Sequence, residues 1–339
     1  MESPKKLRIA LDAMGGDYAP EREVAGAVEA LRVSRDQFEI VLVGDEQSIR
    51  HQLALQKAEH LAFIVKHASQ VINMEDSPTA ALKQKKDSSL AVGMRLHKER
   101  IVDACVSAGN TGAVLSAATL ILGRIKHVSR PTIGTFIPAE HGSCLLVDAG
   151  ANVDCRAQHL YEFAVMGSIY VHLLRKKERP SIALLNVGEE KSKGTEAVLE
   201  AHKLLSASKY NFVGNVEGGD ILKSKADVVV CDGFVGNIVL KFGESVPLFL
   251  KSRLKKFSTH GILNRLAVGM ALWPIKASLQ DMDPNEEGGV PILGVNGVTI
   301  IGHGNSTGKG IKNMILRAAE VAQSQVNRQI ETALAEKGF

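Results

Sequence analysis

Six short stretches of this chain gather glycine with Asp, Asn, Ser and Thr, the side-chain chemistry of a backbone cradle for an anion. They are Asp12-Ala13-Met14-Gly15-Gly16-Asp17, Ser107-Ala108-Gly109-Asn110-Thr111-Gly112-Ala113, Asp148-Ala149-Gly150-Ala151-Asn152-Val153-Asp154, Asn186-Val187-Gly188-Glu189-Glu190, Cys231-Asp232-Gly233-Phe234-Val235-Gly236-Asn237 and His303-Gly304-Asn305-Ser306-Thr307-Gly308. Glycine lets the backbone approach a ligand closely, and exposed N–H groups at a helix start attract negative charge. Asn, Ser and Thr add neutral donors. Any one such loop is as consistent with plain turn chemistry. Six of them converging would favour a phosphate-bearing ligand.

Familiar nucleotide and hydrolase motifs fit these loops poorly. The 107–112 loop lacks GxGxxG spacing, and no acidic residue ends a second strand in the context that NAD requires. Residues 304–309 are one short of a Walker A loop, and Gly310 stands where Ser or Thr would hold Mg²⁺, so an ATPase is not expected. The same stretch satisfies GxSxG through Gly304, Ser306 and Gly308, which keeps a serine acyl hydrolase as an alternative. Against it, no His or Asp follows Ser306 to complete a triad in that family's order. The cysteines Cys105, Cys144, Cys155 and Cys231 form no CxxC and have no His pair at zinc spacing. No metal site is expected, and they read as buried thiols of a reducing cytoplasm.

The loops need elements to place them. Ligands of an open parallel sheet bind beyond the carboxyl ends of its strands, and these loops follow such runs. Strand-length apolar stretches occur at about 7–11, 39–43, 62–65, 102–106, 144–147, 182–186, 228–230 and 298–301. Helical patterns fill the intervals at about 20–33, 46–55, 77–98, 111–122, 157–175 and 195–205. A last helix carries Ile311, Ile315, Ala318, Ala322, Val326 and Ile330 on one face. This alternation predicts an α/β fold with a mostly parallel sheet covered on both faces.

One segment departs from the rhythm. Residues 245–280 contain no Asp or Glu but include Lys251, Arg253, Lys255, Lys256, Arg265 and Lys276. Leu254, Phe257, Ile262, Leu263, Leu266, Met270, Trp273 and Leu279 recur roughly on one helical face, with Gly261 and Pro274 expected to break it into two pieces. Such a basic amphipathic segment suits a membrane interface or a helical pair in a dimer.

With 45% apolar and 23% charged residues, the 339-residue chain is globular in composition. A net charge of +4 and 4% aromatic residues supply neither the field nor the stacking platforms of a nucleic-acid binder. No run of 18 apolar residues predicts a membrane span. The opening Met1-Glu2-Ser3-Pro4-Lys5-Lys6 has no secretory apolar stretch behind it. A cytoplasmic protein is expected.

Taken together, the 12–17 and 107–113 loops, Gly150-Ala151-Asn152-Val153-Asp154-Cys155 and Asp232-Gly233-Phe234-Val235-Gly236-Asn237 resemble the bacterial phosphate acyltransferase family PlsX, the acyl-ACP:phosphate acyltransferases. The likeness runs from about Ile9 to His303. It implies a three-layer α/β/α fold similar to phosphate acetyltransferase and isopropylmalate dehydrogenase-like folds. The chain is then one unit over 1–339 with a helical insertion protruding at about 245–280. The implied activity moves a fatty acyl group from acyl carrier protein to inorganic phosphate, without a cofactor or a metal. The product, acyl phosphate, serves glycerol 3-phosphate acylation in phospholipid synthesis. Implied partners are acyl carrier protein, a second copy of the chain, the inner face of the cell membrane and a glycerol-3-phosphate acyltransferase. Lys255, Lys256, Leu263, Arg265, Leu266, Met270 and Trp273 would meet lipid or carrier protein. A non-catalytic membrane scaffold is the remaining alternative.

That chemistry asks for anion binding and donors rather than a protein nucleophile, because phosphate is itself about half dianionic near pH 7. Ser107, Asn110 and Thr111 with the amides of Gly109 and Gly112 are expected to hold phosphate at a helix start. Lys193 and Lys241 are the candidate cations, and Asn237 lies one helical turn before Lys241. His303, between two glycines, is the candidate to protonate the leaving thiolate. Gly15, Gly16, Asp17, Asn152, Asn186, Asp232 and Gly233 complete the expected binding loops, and the resemblance adds Asn215 and Glu217. Asp12, Asp17, Asp148 and Asp232 are expected to cap helices and orient donors.

Overall fold

Leu7–Asp12 (β1) is buried along its last four residues, as a parallel strand covered by helices on both faces must be. It opens a chain seen here in a computed structural model that describes residues 6–34 and 37–336. Residues 1–5, which carry the expectation about a secretory stretch, lie outside the described residues, as do 35–36 and 337–339. After β1 come α1 (Glu21–Ser34), β2 (Phe38–Gly44), α2 (Glu46–Leu55), β3 (Phe63–His67), α3 (Pro78–Gln84), α4 (Ser89–Lys98), β4 (Ala104–Ser107) and α5 (Thr111–Ala117). The middle of the chain forms β5 (Thr132–Ala139), β6 (Gly142–Val147), α6 (Ala157–Arg175), β7 (Ser181–Leu185), α7 (Glu196–Ser206), β8 (Asn211–Val216) and β9 (Val228–Val230). Then follow α8 (Gly233–Ser258), α9 (Ile262–Ser278), α10 (Pro284–Glu287), β10 (Val290–Leu293), β11 (Val298–Ile301), α11 (Gly308–Ser324) and α12 (Val326–Ala335).

The strands make one 11-stranded sheet in the order β3-β2-β1-β4-β11-β10-β5-β6-β9-β7-β8. Strand β10 is antiparallel to both β11 and β5, and β5 is antiparallel to β6, while the remaining pairs are parallel. The sheet is therefore mostly parallel but reverses sense in its middle. Loops at carboxyl ends fall into two sets: those after β1, β4 and β11, and those after β6, β9, β7 and β8.

Period-2 alternation sorts the side chains into layers. Ile9, Leu11, Ile40, Leu42, Leu145 and Val147 face one core with α1, α6 and α11. Ala10, Val41, Val43 and Cys105 point the other way, against α4 and α5, and Cys144, Leu146 and Val229 build a third cluster on that second face. The result is a three-layer α/β/α architecture. Helix α8 packs where the second and third clusters meet, because Val239 joins one and Leu240 the other.

Several expectations are corrected. The helix expected over 77–98 is two, since Ser88 starts α4 as an N-cap that accepts from the Ala91 amide. The last helix is also two, parted at Gln325, whose φ is +56°. The 245–280 segment does break at Gly261 (φ +148°), but Pro274 leaves α9 continuous. The carbonyl that Pro274 leaves without a helical donor belongs to exposed Met270, so it is not buried by a neighbouring element. The first of these helices begins at Gly233, well before 245. At 26 residues, α8 is long and apolar enough to cross a membrane by composition alone. Its start is seated on the core, however, through buried Gly233 and Gly236 and through Val239 and Leu240, so the whole of the helix is not free for a span.

Candidate active site

The loops touch one another in the sets that the sheet dictates. At the end of β1, the buried Asp12 carboxylate accepts from Ser107 Oγ at 2.7 Å, and Ser107 Oγ accepts from the Gly109 amide at 3.1 Å. A Cβ on Gly15 would stand 2.7 Å from Asp12 Oδ2 and 3.0 Å from the Gly109 nitrogen, so the β1 and β4 loops meet only because residue 15 has no side chain. The Asp17 amide donates to Gly304 O at 2.8 Å, which brings in the β11 loop. Asn110 caps α5 by accepting from the Ala113 amide, and its Nδ2 donates to Met74 O and Asp76 O. The side-chain groups of Ser107 and Asn110 are thus engaged within the protein. Among the described residues, the amides of Thr111 and Gly112 at the start of α5 have no acceptor.

This corner is acidic behind the α5 start. Glu23 is buried beneath Gly16, its Oε2 has no partner among the described residues, and burial pushes its carboxyl up to about 7. Burial also raises Asp12. With Asp17 beside them, these groups disfavour a phosphate dianion on the β1 side of the loop set.

In the second set, the buried Asp148 carboxylate collects the amides of Ile133, Gly150, Ala151 and Asn152 together with Asn152 Nδ2. Asn152 O in turn accepts from the Gly233 amide at 2.7 Å. Asp232 caps α8 by accepting from the Val235 amide. Gly150 lies against the side chain of exposed Asn237. Past β7 and β8, Asn186 Nδ2 holds Lys193 O, and the mostly buried Asn215 holds Glu190 O. The Glu217 amide donates to Asp220 Oδ2 at a short turn. Among the described residues, the Lys193 ammonium meets no carboxylate.

Helix α8 joins the two sets. Asn237, Lys241 and Glu244 follow at i, i+4 and i+7 on one face. Glu244 lies 2.9 Å from Lys241 Nζ through Oε2 and 3.2 Å from His303 Nε2 through Oε1. His303 follows β11, which is paired with β4, so its loop runs beside the loop that leads into α5, while its ring reaches Glu244 of α8. The His303 bond draws the Glu244 carboxyl down to about 2 against the opposing effect of burial, and Lys241 adds to the fall. Lys241 and His303 are therefore brought together, while Lys193 stays on the β7 loop with no contact to either. Sequence reading missed Glu244, whose one local signal is its place three residues after Lys241.

A family model described as "Fatty acid synthesis protein" matches residues 7–329. A phosphate acyltransferase of Chlorobaculum parvum is 46% identical over 97% of this chain and 99% of that protein. The chain belongs to the phosphate acyltransferase family. A second phosphate acyltransferase, from Acetivibrio thermocellus, is 44% identical over 94% of this chain and 93% of its own. A solved phosphotransacetylase from Streptococcus pyogenes shares the fold at a TM-score of 0.64 and 16% identity, over 95% of this chain and 94% of that one. The family is the one the loops resemble, and the protein is an acyltransferase that transfers to phosphate. The rival hydrolase reading loses its geometry as well. Ser306 is buried, and among the described residues no hydrogen bond joins its hydroxyl to a histidine.

Proposed function

We propose that this phosphate acyltransferase takes its fatty acyl group from acyl carrier protein and makes acyl phosphate for phospholipid synthesis. The observation that carries the reading is the course of α8. One continuous helix presents Asn237 and Lys241 at the site and then runs out as a hairpin with α9, where basic residues and apolar side chains are exposed together. Lys255, Lys256 and Arg265 lie there, and Leu263, Met270 and Trp273 are each more than three-quarters exposed. A macromolecular donor docked on that hairpin has a direct line to the site. An acidic carrier suits the charge.

Phosphate is assigned to the space between the free amides of Thr111 and Gly112 and the Lys241–His303 pair, with Asn237 and Lys193 as further donors. Gly15, Gly16 and Asp17 shape that space from the β1 loop rather than bind charge, Asn152, Asp232 and Gly233 seat the start of α8, Asn186 and Asn215 hold the Lys193 loop, and Glu217 turns the chain after β8. In the reaction, hydrogenphosphate attacks the thioester carbonyl, the new C–O bond forms and the C–S bond breaks. Its proton ends on the departing sulfur, which gives acyl phosphate and a thiol. The bare apolar face of α8–α9, including Phe242, Leu248 and Phe249, is assigned to a second copy of the chain, and its lysines to the cytoplasmic face of the membrane.

Incubating the protein with a long-chain acyl carrier protein, with and without phosphate, and trapping product with hydroxylamine tests the proposal. Phosphate-dependent hydroxamate is the expected result. Thioester loss that ignores phosphate, or acceptance of acyl-CoA alone, would overturn the donor assignment.

A further inference from the structure

Glu244 is the one acid in α8, and it is set among residues that otherwise expose apolar or basic side chains. An acid three residues after a lysine is ordinarily a surface pair worth little. This one differs in two respects. Its side chain is only 24% exposed, and its second partner, His303, comes from the end of β11, far away in the chain. The helix that carries it is not free to drift, since Gly233 and Gly236 seat its start on Asp148 and Asn152, and Leu240 packs into the core.

We propose that Glu244 is a positioning residue for acyl transfer, holding the His303 ring by Nε2 and the Lys241 ammonium beside it so that Nδ1 faces the reacting groups. This rests on the reading of the site given above. An ionised carboxylate only accepts hydrogen bonds, so Nε2 must carry its hydrogen, and the tautomer this selects has its lone pair on Nδ1. Among the described residues nothing bonds to Nδ1. That nitrogen takes the proton of hydrogenphosphate as the C–O bond forms and returns it to sulfur as the C–S bond breaks. The ring ends unchanged. The strongly depressed Glu244 carboxyl fits a group that stays ionised throughout. The arrangement follows the logic of a carboxylate that fixes the tautomer of a catalytic imidazole.

The test uses the full-length protein with long-chain acyl carrier protein and phosphate, and hydroxamate as the readout. Glu244→Gln is expected to lower kcat about tenfold or more, with the KM for phosphate within about threefold and the melting temperature unchanged. His303→Ala is expected to lose as much, and the Glu244→Ala/His303→Ala double variant to be no slower than His303→Ala alone. Wild-type kcat in Glu244→Gln would overturn the inference while leaving the donor and phosphate assignments standing. So would a double variant slower by the product of the two single losses. A fully active His303→Ala would instead remove the reading of the site and this inference with it.

Discussion

Glu23 shows how a single buried group at the edge of the site sets a pH dependence. Its carboxyl is pushed up to about 7 in the folded chain from an ordinary 4.5. Between those values the native state holds a proton that the unfolded chain has released, so stability falls as pH rises from about 4.5 to 7 and then levels off. Glu23→Gln removes an ionisation cost on the order of 3 kcal/mol above pH 7. Thermal melts should show the variant several degrees more stable than wild type at pH 8 and nearly equal at pH 4. An equal difference at both pH values would mean that Glu23 is not ionising within the core. Asn110 makes the complementary case, a residue chosen as a phosphate ligand that serves the chain instead. Asn110→Ala loses the α5 cap and strands the donors' partners at Met74 and Asp76, at a cost of about 1–2 kcal/mol. Its melting temperature should drop while the KM for phosphate moves less than twofold. A KM raised tenfold in a fully stable variant would restore the side chain to the anion site.

At the scale of the element, α8 makes the sharpest prediction because two of its glycines answer the same substitution oppositely. A Cβ on Gly236 would lie 1.9 Å from Asp148 O, a backbone atom that cannot yield without moving the β6 loop. Gly243, two turns on, has nothing within 4 Å of its position. Gly236→Ala should therefore destabilise by about 1–3 kcal/mol and displace Lys241 and Glu244, whereas Gly243→Ala should stabilise by about 0.5–1 kcal/mol. Chemical denaturation of the pair checks both signs at once, and equal shifts would show that α8 is not seated on Asp148. The same helix marks what was legible in the sequence. Alternating strand and helix patterns located β1 to β4, α2, α6 and the glycine loops, because parallel units repeat locally. Strands β5, β8 and β10 were not legible. Two of them contain Pro, β8 is partly exposed, and the antiparallel pairing of β10 with β5 joins segments far apart in the chain. Glu244 stayed hidden for a related reason. Its local neighbour Lys241 describes an ordinary surface helix, and only folding brings His303 to its other oxygen.

Across the whole molecule, charge is nearly balanced at +4, yet residues 245–280 carry six Lys and Arg and no acid. An excess so confined does little for the fold, since these side chains are exposed on a hairpin that extends from the sheet. It concentrates a positive field at one place, and fields of that kind act chiefly on encounter rates. If an acidic carrier protein docks there, reversing Lys255, Lys256 and Arg265 to Glu should lower kcat/KM for acyl carrier protein by about 10- to 100-fold at low salt. The loss should shrink as ionic strength rises, because salt already screens the wild-type attraction. The kcat at saturating donor should change little, as Lys255 and Lys256 lie about three turns beyond Glu244 along α8 and Arg265 is on α9. An anionic vesicle added to the assay separates the two partners assigned to the hairpin. Competition between vesicle and carrier would place both on the same lysines, whereas unaltered turnover would divide the hairpin into a lipid-facing and a carrier-facing side. A triple variant with wild-type kcat/KM at every ionic strength would remove the carrier from this surface and leave the basic residues to the membrane alone.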